Sequence, residues 1–399
     1  MFQGSIIHVT KSIGREAFGV ATVATKLSQA QANLGMHPEL WVMDSEELAT
    51  KSAVSAGLDE KLVRCFAQSP PSFLGISAAM EKSARHWSGR RPLVVHQHML
   101  WLGYSRTTQI LARDAGARTV IAPHGVLDYW HVRKSRFKKK IAGLLYENAN
   151  LAKCDCLQAL SDQELKDFRA YGLRNPVARI NNGVTDEQLS ASGDGAEFRA
   201  KHCISSDRRV MLFFSRISPQ KGLDMLLRTM DQLRADLGDW LLVVCGHNQD
   251  GHENELRELA KELRLEDRVV FAGPLFGDDK NDAFAAAEVF VLPSRSEGAP
   301  MVVLEAMAAG LPVMTTKAAP WEDLLKHDCG WWGDISVAAI TESLREVLAT
   351  DAQALRLRGQ RAKNLVATEH TWRVAARRSS ELYSWLCGEG AKPDFVFTE

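Results

Sequence analysis

Val289-Phe290-Val291-Leu292-Pro293-Ser294-Arg295-Ser296-Glu297-Gly298-Ala299-Pro300-Met301-Val302-Val303-Leu304-Glu305 reads as one structural unit. Val289–Leu292 is a short, unbroken apolar run, as expected of a strand buried on both faces. A polar loop follows, and Pro300 opens a helix, where its missing N–H leaves nothing unsatisfied. The same pattern extends outward in both directions. Further strands read at Val210–Phe214, Trp240–Val244, Val269–Phe271 and Val313–Thr315. Helical patterns lie between them at Gly222–Leu233, Glu253–Leu263, Lys280–Ala287 and Met301–Ala309. Strands alternating with helices predict an α/β fold, a parallel sheet with helices on both faces.

The first half carries a second series. Strands read at Ser5–Val9, Leu40–Met43, Leu93–Val95, Thr119–Ala122, Cys156–Ala159 and Val177–Ile180, with a helix over Gly19–Leu34 ending at Gly35. Ser161-Asp162-Gln163-Glu164 is a capping box, in which hydroxyl and carboxylate each accept a free N–H at a helix start. Between the halves, Thr185–Ser206 is largely polar and reads as a linker. The expected organisation is an N-terminal Rossmann-like domain over 1–190, a second over 205–371, and a final helix within 372–390. Open α/β sheets bind ligands beyond the carboxyl ends of their strands, so two facing domains would place the site in the cleft between them.

The chain has 399 residues, of which 45% are hydrophobic and 25% charged, with 49 basic against 49 acidic. That balance argues against a nucleic-acid binder driven by bulk charge and against disorder. No apolar run approaches the roughly 18 residues that span a bilayer. The start, Met1–Ser5, lacks the features of a secretory signal. Seven cysteines with no CxxC pair suggest reduced thiols and a cytoplasmic protein. Cys154 and Cys156, two apart, would share a face on a strand, but no second His/Cys cluster accompanies them.

Three pieces carry chemistry. Glu297 and Glu305 are eight residues apart, one in the loop and one a turn inside the helix. Between them, the free N–H groups of Met301 and Val302 form an anion-binding helix start. Second, Arg216 and Lys221 flank a turn after Val210–Phe214, where two cations can clamp a diphosphate. Third, Gly246 follows Trp240–Val244 and lets the backbone approach a ligand. Singly, these features have plainer explanations: a solvated cation pair, a salt-bridged glutamate, a turn. Together, at the strand exits of one sheet, they point to a phosphorylated, hydroxyl-rich ligand.

These residues resemble the motifs of the retaining glycosyltransferases of family 4 (group 1), which have the GT-B fold. The E-x7-E motif is Glu297 and Glu305, followed by Ala306-Met307-Ala308-Ala309-Gly310-Leu311-Pro312-Val313, and Arg216, Lys221 and Gly222 match the diphosphate clamp. The resemblance implies that Glu297 touches the donor sugar and Glu305 the ribose hydroxyls. It also implies that Gly298, Ala299, Pro300, Met301 and Val302 bind the donor, and that Pro274 and Leu275 lie beside the base. In the first half, Gly19 matches one member of the family's Gly-Gly pair, whereas Phe18 departs from it. His96-Gln97-His98-Met99-Leu100-Trp101 and Pro123-His124-Gly125-Val126-Leu127-Asp128 resemble signatures of exopolysaccharide and O-antigen transferases. His124 is the expected sugar-facing group, with His98, Trp101 and Asp128 on the acceptor side. The plainer reading of His96 and His98 is packing at a sheet edge, with Trp101 as core.

Arg133–Lys140 packs six basic residues into eight positions, and Phe137, Ile141, Leu144 and Leu145 share one face of a helix through it. A basic amphipathic helix suits an anionic membrane surface, though a fold can equally bury such a stripe. Trp372–Leu386 is an amphipathic helix that, in related folds, returns to the first domain. The expectation is a hexosyltransferase with a nucleotide-sugar donor (GDP- or UDP-linked) and a glycan or lipid-linked glycan acceptor. No metal and no cofactor are expected, since Asp278-Asp279 is not D-x-D. Alternatives are a nucleotide-sugar epimerase on the same fold or a non-catalytic nucleotide-sugar-binding partner of another transferase. The lack of G-x-G-x-x-G after Val9 or Phe214 argues against a nicotinamide dehydrogenase.

Overall fold

Each half of the chain builds one sheet. In the computed structural model, residues 1–14, 18–127 and 136–398 are described. The strands are β1 (Ser5–Val9), β2 (His37–Val42), β3 (Val63–Cys65), β4 (Leu93–His98), β5 (Arg118–Ala122), β6 (Cys156–Ala159) and β7 (Val177–Arg179) in the first series. The second series is β8 (Arg209–Phe214), β9 (Trp240–Cys245), β10 (Val269–Gly273), β11 (Val289–Leu292), β12 (Val313–Thr316) and β13 (Gly330–Gly333). A last strand, β14 (Val396–Phe397), joins the first sheet. The sheet orders are β14-β7-β6-β5-β4-β1-β2-β3 and β10-β9-β8-β11-β12-β13. Every pairing is parallel except β14 on β7.

Both orders reverse direction once, between β4 and β1 in the first sheet and between β8 and β11 in the second. The connections leave such a point on opposite sides and open a crevice at the carboxyl ends of the two strands. The loops that leave β8 and β11 are Ser215–Gly222 and Pro293–Pro300, the stretches singled out for their charged residues. At the other reversal, β1 and β4 lie in register, with His8 opposite His96.

Two compact units result: 1–182 with 372–399, and 183–371. The polar stretch 185–206 is not a free connector. Thr185 and Gln188 form a capping box on the helix Asp186–Ser190, and Asp194 caps Gly195–Lys201. Phe198 is buried in the second unit's core. Gly193 and Gly195 lie so close to the helix Asp278–Ala286 that a Cβ would meet Asn281 O at 2.2 Å and Ala285 O at 2.7 Å. The polarity that reads as a linker belongs to caps and exposed helix faces, and the division falls at 182/183.

The helix Trp372–Leu386 belongs to the first unit and packs on Phe18–Asn33. Ser380 Oγ accepts from the Phe2 N–H at 2.7 Å, and the Tyr383 ring meets Phe2 edge-on at 5.7 Å. At the helix Asp162–Tyr171, Ser161 Oγ accepts from the Glu164 N–H at 3.1 Å, and the Glu164 carboxylate accepts from Leu160 N–H at 2.7 Å. β9 and β4 are buried at every position. In β9 the aliphatic composition accounts for that. In β4 it does not, because His96, Gln97 and His98 are all buried polar groups that require internal partners.

Candidate functional site

The second unit's reversal point is a tightly tied group of loops. Lys221 ends the turn Pro219–Lys221 after β8, and Gly222 follows in the left-handed region at φ 69°. A Cβ on Gly222 would lie 2.0 Å from Pro293 O, so glycine is required for the β8 and β11 exits to come this close. Arg295 then ties the two loops together. Its N–H donates to Gln220 O at 2.8 Å, and its guanidinium makes two 2.7 Å bonds to Asp224 and one to Pro219 O. Gln220 Nε2 donates to Ser296 O at 2.9 Å. This scaffold brings Lys221 Nζ to 2.5 Å from Glu297 Oε1, which also accepts from Ser294 Oγ at 2.6 Å.

Glu305 lies on the helix Met301–Ala308, which Pro300 caps at φ −67°. The first-turn N–H groups of Met301 and Val302 have no place in the helix's own ladder. Glu305 Oε2 is 2.7 Å from Lys280 Nζ, and its Oε1 accepts from Gln188 Nε2 at 3.4 Å. The Lys280 ammonium also lies 5.2 Å from the Phe214 ring at the end of β8. Both glutamates of the motif are therefore matched by lysines at carboxyl ends of the sheet.

Gly246 leaves β9 with a Cβ position only 1.7 Å from Ser215 O, and its N–H donates to Gly273 O at 2.9 Å. Ile217 N–H donates to His247 O at 2.8 Å, which zips the β8 and β9 exits together. Arg216 is exposed and donates to Gln249 Oε1 at 3.2 Å. Pro274 is exposed, whereas the Leu275 side chain is buried in the core. Gly298 and Ala299 are half-buried.

The first unit's reversal point holds a continuous buried hydrogen-bonded chain. Tyr383 OH is 2.7 Å from His96 Nδ1 and accepts from Gln31 Nε2 at 3.3 Å. Gln31 Oε1 is 2.7 Å from His8 Nε2, His8 Nδ1 is 2.9 Å from His98 Nε2, and His98 Nδ1 is 3.0 Å from His124 Nε2. Burial pushes the His8 and His124 pKa values down to about 4, and holds His96 and His98 well below the ordinary range, with neighbouring imidazoles adding to it. All four rings are neutral at pH 7.

Two buried carboxylates pin the loops beside this chain. Glu147 accepts from the Trp101 N–H at 2.7 Å, Ser105 Oγ at 2.9 Å and Asn150 Nδ2 at 3.0 Å, and burial raises its pKa. Glu164 accepts from the Gly125 N–H at 2.6 Å. Met99, Trp101 and His124 all adopt positive φ, at 71°, 70° and 56°. Non-glycine residues persist there only when their surroundings over-determine them, and such strain clusters at functional sites.

Several expectations change. His98 is fully buried, so it meets His124 rather than an acceptor. β4 is a central strand, so His96 and His98 do not pack a sheet edge. Trp101 is half-buried, edge-on to Tyr171 at 6.4 Å, with Lys139 Nζ 5.6 Å from its ring. Gly19 is an exposed helical residue with no described atom within 4 Å of its Cβ position. Asp128 and Arg133–Ser135 lie outside the described residues. Ile141, Leu144 and Leu145 are not core: they are 46%, 84% and 72% exposed.

Lys280, Ser294, Arg295 and Gln188 escaped the sequence reading, because their roles come from loops and helices distant in the chain. So did the chain of Gln31 and Tyr383, which needs the last helix packed on the first. Cys154 ends a helix and Cys156 begins β6, and burial raises both thiol pKa values, Cys156 to about 12, which opposes thiolate ligation. Among the described residues, His8, His96 and His98 form the one group whose potential ligand atoms all lie within 4.8 Å of each other. His8 Nδ1 and His98 Nε2 are only 2.9 Å apart. Two nitrogens on one tetrahedral ion, with bonds of about 2.0 Å, would stand about 3.3 Å apart. The spacing fits a shared proton better.

With this geometry in hand, the comparisons with known proteins are consistent. The family model described as glycosyl transferases group 1 matches residues 194–364, and that of the glycosyl transferase 4-like domain matches 18–183. The chain is 28% identical over 302 residues to a GDP-mannose-dependent alpha-(1-6)-phosphatidylinositol monomannoside mannosyltransferase of Mycolicibacterium smegmatis, covering 71% of this chain and 76% of that protein. It is 26% identical over 330 residues to the lipopolysaccharide 1,2-N-acetylglucosaminetransferase of Salmonella typhimurium, covering 79% and 84%. Among solved structures, sucrose-phosphate synthase of Thermosynechococcus elongatus superposes with a TM-score of 0.75 at 20% identity, covering 97% of this chain and 100% of that one. HepE of Anabaena, in complex with UDP and glucose, gives 0.73 at 18% identity, covering 96% and 100%. These two structures share the fold.

Proposed function

The chain belongs to the group 1 glycosyl transferases, and from that premise we propose that it moves a hexose from a GDP- or UDP-linked donor to a glycan or lipid-linked glycan of the cell surface. The observation that carries this reading is the cation–carboxylate pairing at the second unit's reversal point, Lys221 with Glu297 at 2.5 Å and Lys280 with Glu305 at 2.7 Å. Hydroxyls of the sugar and ribose engage the two carboxylates. The donor diphosphate takes up Lys221, Arg216 and the helix start at Met301 and Val302, with Gly246 admitting it close to the backbone. These cations stabilise the charge that grows on the departing diphosphate, an electrostatic contribution that commonly dominates such catalysis. Two side chains and a helix N-terminus meet that need without a divalent metal, and transfer proceeds with retention.

In the first unit, His124 serves as a neutral group for a sugar hydroxyl. The exposed Ile141, Leu144 and Leu145, next to Lys139 and Lys140, favour contact with the anionic cytoplasmic face of a membrane. No described helix is long and apolar enough to cross one.

A thermal-shift panel with GDP, UDP, ADP and their sugar conjugates tests the reading. A ligand at 100 times its Kd stabilises by about 2.7 kcal/mol. A selective shift by GDP or UDP, lost in Lys221→Ala, is the expected result. No shift by any nucleotide, and no release of nucleotide in the presence of membrane glycolipid extract, would overturn it.

A further inference from the structure

We propose that the buried chain Tyr383–Gln31–His8–His98 fixes the tautomer of His124, with its proton on Nε2 and a lone pair on Nδ1, which makes Gln31 and Tyr383 positioning residues for transfer. The role in transfer rests on the proposed function; the tautomer itself follows from the first unit alone.

The polarity can be traced bond by bond. Gln31 has one acceptor and one donor end, and the acceptor Oε1 faces His8 Nε2 at 2.7 Å while Nε2 faces Tyr383 OH at 3.3 Å. His8 must therefore carry its proton on Nε2. A neutral imidazole has one proton, so His8 Nδ1 is an acceptor. It lies 2.9 Å from His98 Nε2, which must then be the donor, leaving His98 Nδ1 as an acceptor. His98 Nδ1 lies 3.0 Å from His124 Nε2, so His124 carries its proton there and its Nδ1 is bare. At the other end, Tyr383 accepts from Gln31 and donates to His96 Nδ1 at 2.7 Å. His96 then holds its proton on Nε2, an atom with no hydrogen-bond partner among the described residues, as is Gln158 Oε1. Every bond has one donor and one acceptor, and no ring needs a second proton.

This assignment needs all rings neutral, and the surroundings provide for that. His8, His96 and His98 are fully buried, and the ionisable groups acting on His98 are the other imidazoles of the chain, with no carboxylate or ammonium among them. The backbone holds the end of the chain in place: His124 sits at φ 56°, and the next N–H is anchored on Glu164 at 2.6 Å. A bare Nδ1 can only accept, so His124 selects a hydroxyl that donates to it. The opposite tautomer would present an N–H and favour an acceptor oxygen. A hydrogen-bonded partner that sets a histidine's tautomer commonly decides its competence in catalysis.

The test is the 15N spectrum of histidine-labelled protein at pH 7.5, with the His124 signal assigned by its loss in His124→Asn. His124 protonated on Nε2 is the expected result, with the signal moving toward a tautomer mixture in Gln31→Leu and returning in Gln31→Glu, whose carboxylate still accepts from His8. In transfer assays, Gln31→Leu should lower kcat about tenfold and change the donor KM little, with rescue in Gln31→Glu. A His124 protonated on Nδ1 in the unaltered protein overturns the proposal without recourse to any variant. So does a His124 signal that is the same in Gln31→Leu, or in Tyr383→Phe should Gln31→Leu fail to fold. Nucleotide titration of the unaltered protein reports separately on the transferase reading: a protein that binds no nucleotide sugar yet shows the Nε2 tautomer refutes that reading and keeps this one.

Discussion

Lys221 and Glu297 form an ion pair across two loops, Nζ to Oε1 at 2.5 Å, with 9% and 7% of their side chains exposed. A pair this well buried can be broken only by leaving a charge without its partner, and a donor diphosphate that takes up Lys221 must share it with Glu297. Lys221→Ala should therefore destabilise the second unit by about 3 kcal/mol and abolish transfer. The double variant Lys221→Met, Glu297→Leu should recover most of the stability and none of the activity, as read by urea unfolding and a transfer assay. A double variant as unstable as Lys221→Ala would show that the loops depend on this pair for their shape.

Two glycines offer contrasting outcomes. Gly246→Ala forces a methyl to within 1.7 Å of Ser215 O and should cost more than about 4 kcal/mol, unfolding much of the second unit. Gly19 sits in open space on a helix, so Gly19→Ala should raise stability by about 0.5–1 kcal/mol. If the donor backbone approach expected at Gly19 is real, that more stable variant will have a higher donor KM; an unchanged KM removes Gly19 from the site.

The histidine chain predicts a pH dependence of stability. Folded His8 and His124 titrate at about 4 against an ordinary 6.5. Above pH 6.5 both are neutral, folded or unfolded, and contribute no difference. As pH falls from 6.5 towards 4 the unfolded chain takes up protons that the folded one refuses, so stability is lost through that window. At pH 5 each costs on the order of 2 kcal/mol. Unfolding midpoints measured from pH 7.5 to 4.5 should fall steeply below 6.5, and the slope should lessen in His8→Gln.

Ile141, Leu144 and Leu145 are exposed, so replacing them should leave stability within about 0.5 kcal/mol. Leu144→Asp, Leu145→Asp together should abolish sedimentation with vesicles containing anionic lipid, while the unaltered protein sediments and is released by salt. Equal sedimentation of both proteins would show that this surface does not meet the membrane.

Much of the fold was legible because parallel strands buried on both faces leave unbroken apolar runs such as Val289–Leu292 and Trp240–Val244. β14 has only two residues, Val63-Arg64-Cys65 of β3 is no apolar run, and Gly330-Trp331-Trp332-Gly333 is bounded by residues that usually mark turns, so these three strands leave no such signal. The stretch 185–206 reads as a linker because capping residues and linker residues are chemically alike; Leu189, Phe198 and Ile204 are the apolar residues that mark it as packed. At the candidate site, local spacing singles out Glu297, Glu305, Lys221 and Arg216. Their partners Lys280, Ser294 and Arg295 were not, because pairing across loops depends on strand order, which local pattern does not encode. His98 is placed on the acceptor side by the resemblance of His96–Trp101 to a transferase signature, yet a polar residue in a central strand can equally be spent on an internal chain.

The first unit is not contiguous in sequence. Residues 183–371 intervene before Trp372–Leu386 and β14 return to it. During synthesis the second unit therefore has its whole segment available while the first still lacks Tyr383, the residue that bonds His96 and Gln31 and meets the Phe2 ring. Those groups wait for their partner until the helix Trp372–Leu386 has left the ribosome. The first unit is thus completed last, and a chain stopped near 371 would keep the loops that leave β8 and β11 yet lack the helix whose Tyr383 closes the buried chain on His96 and Gln31.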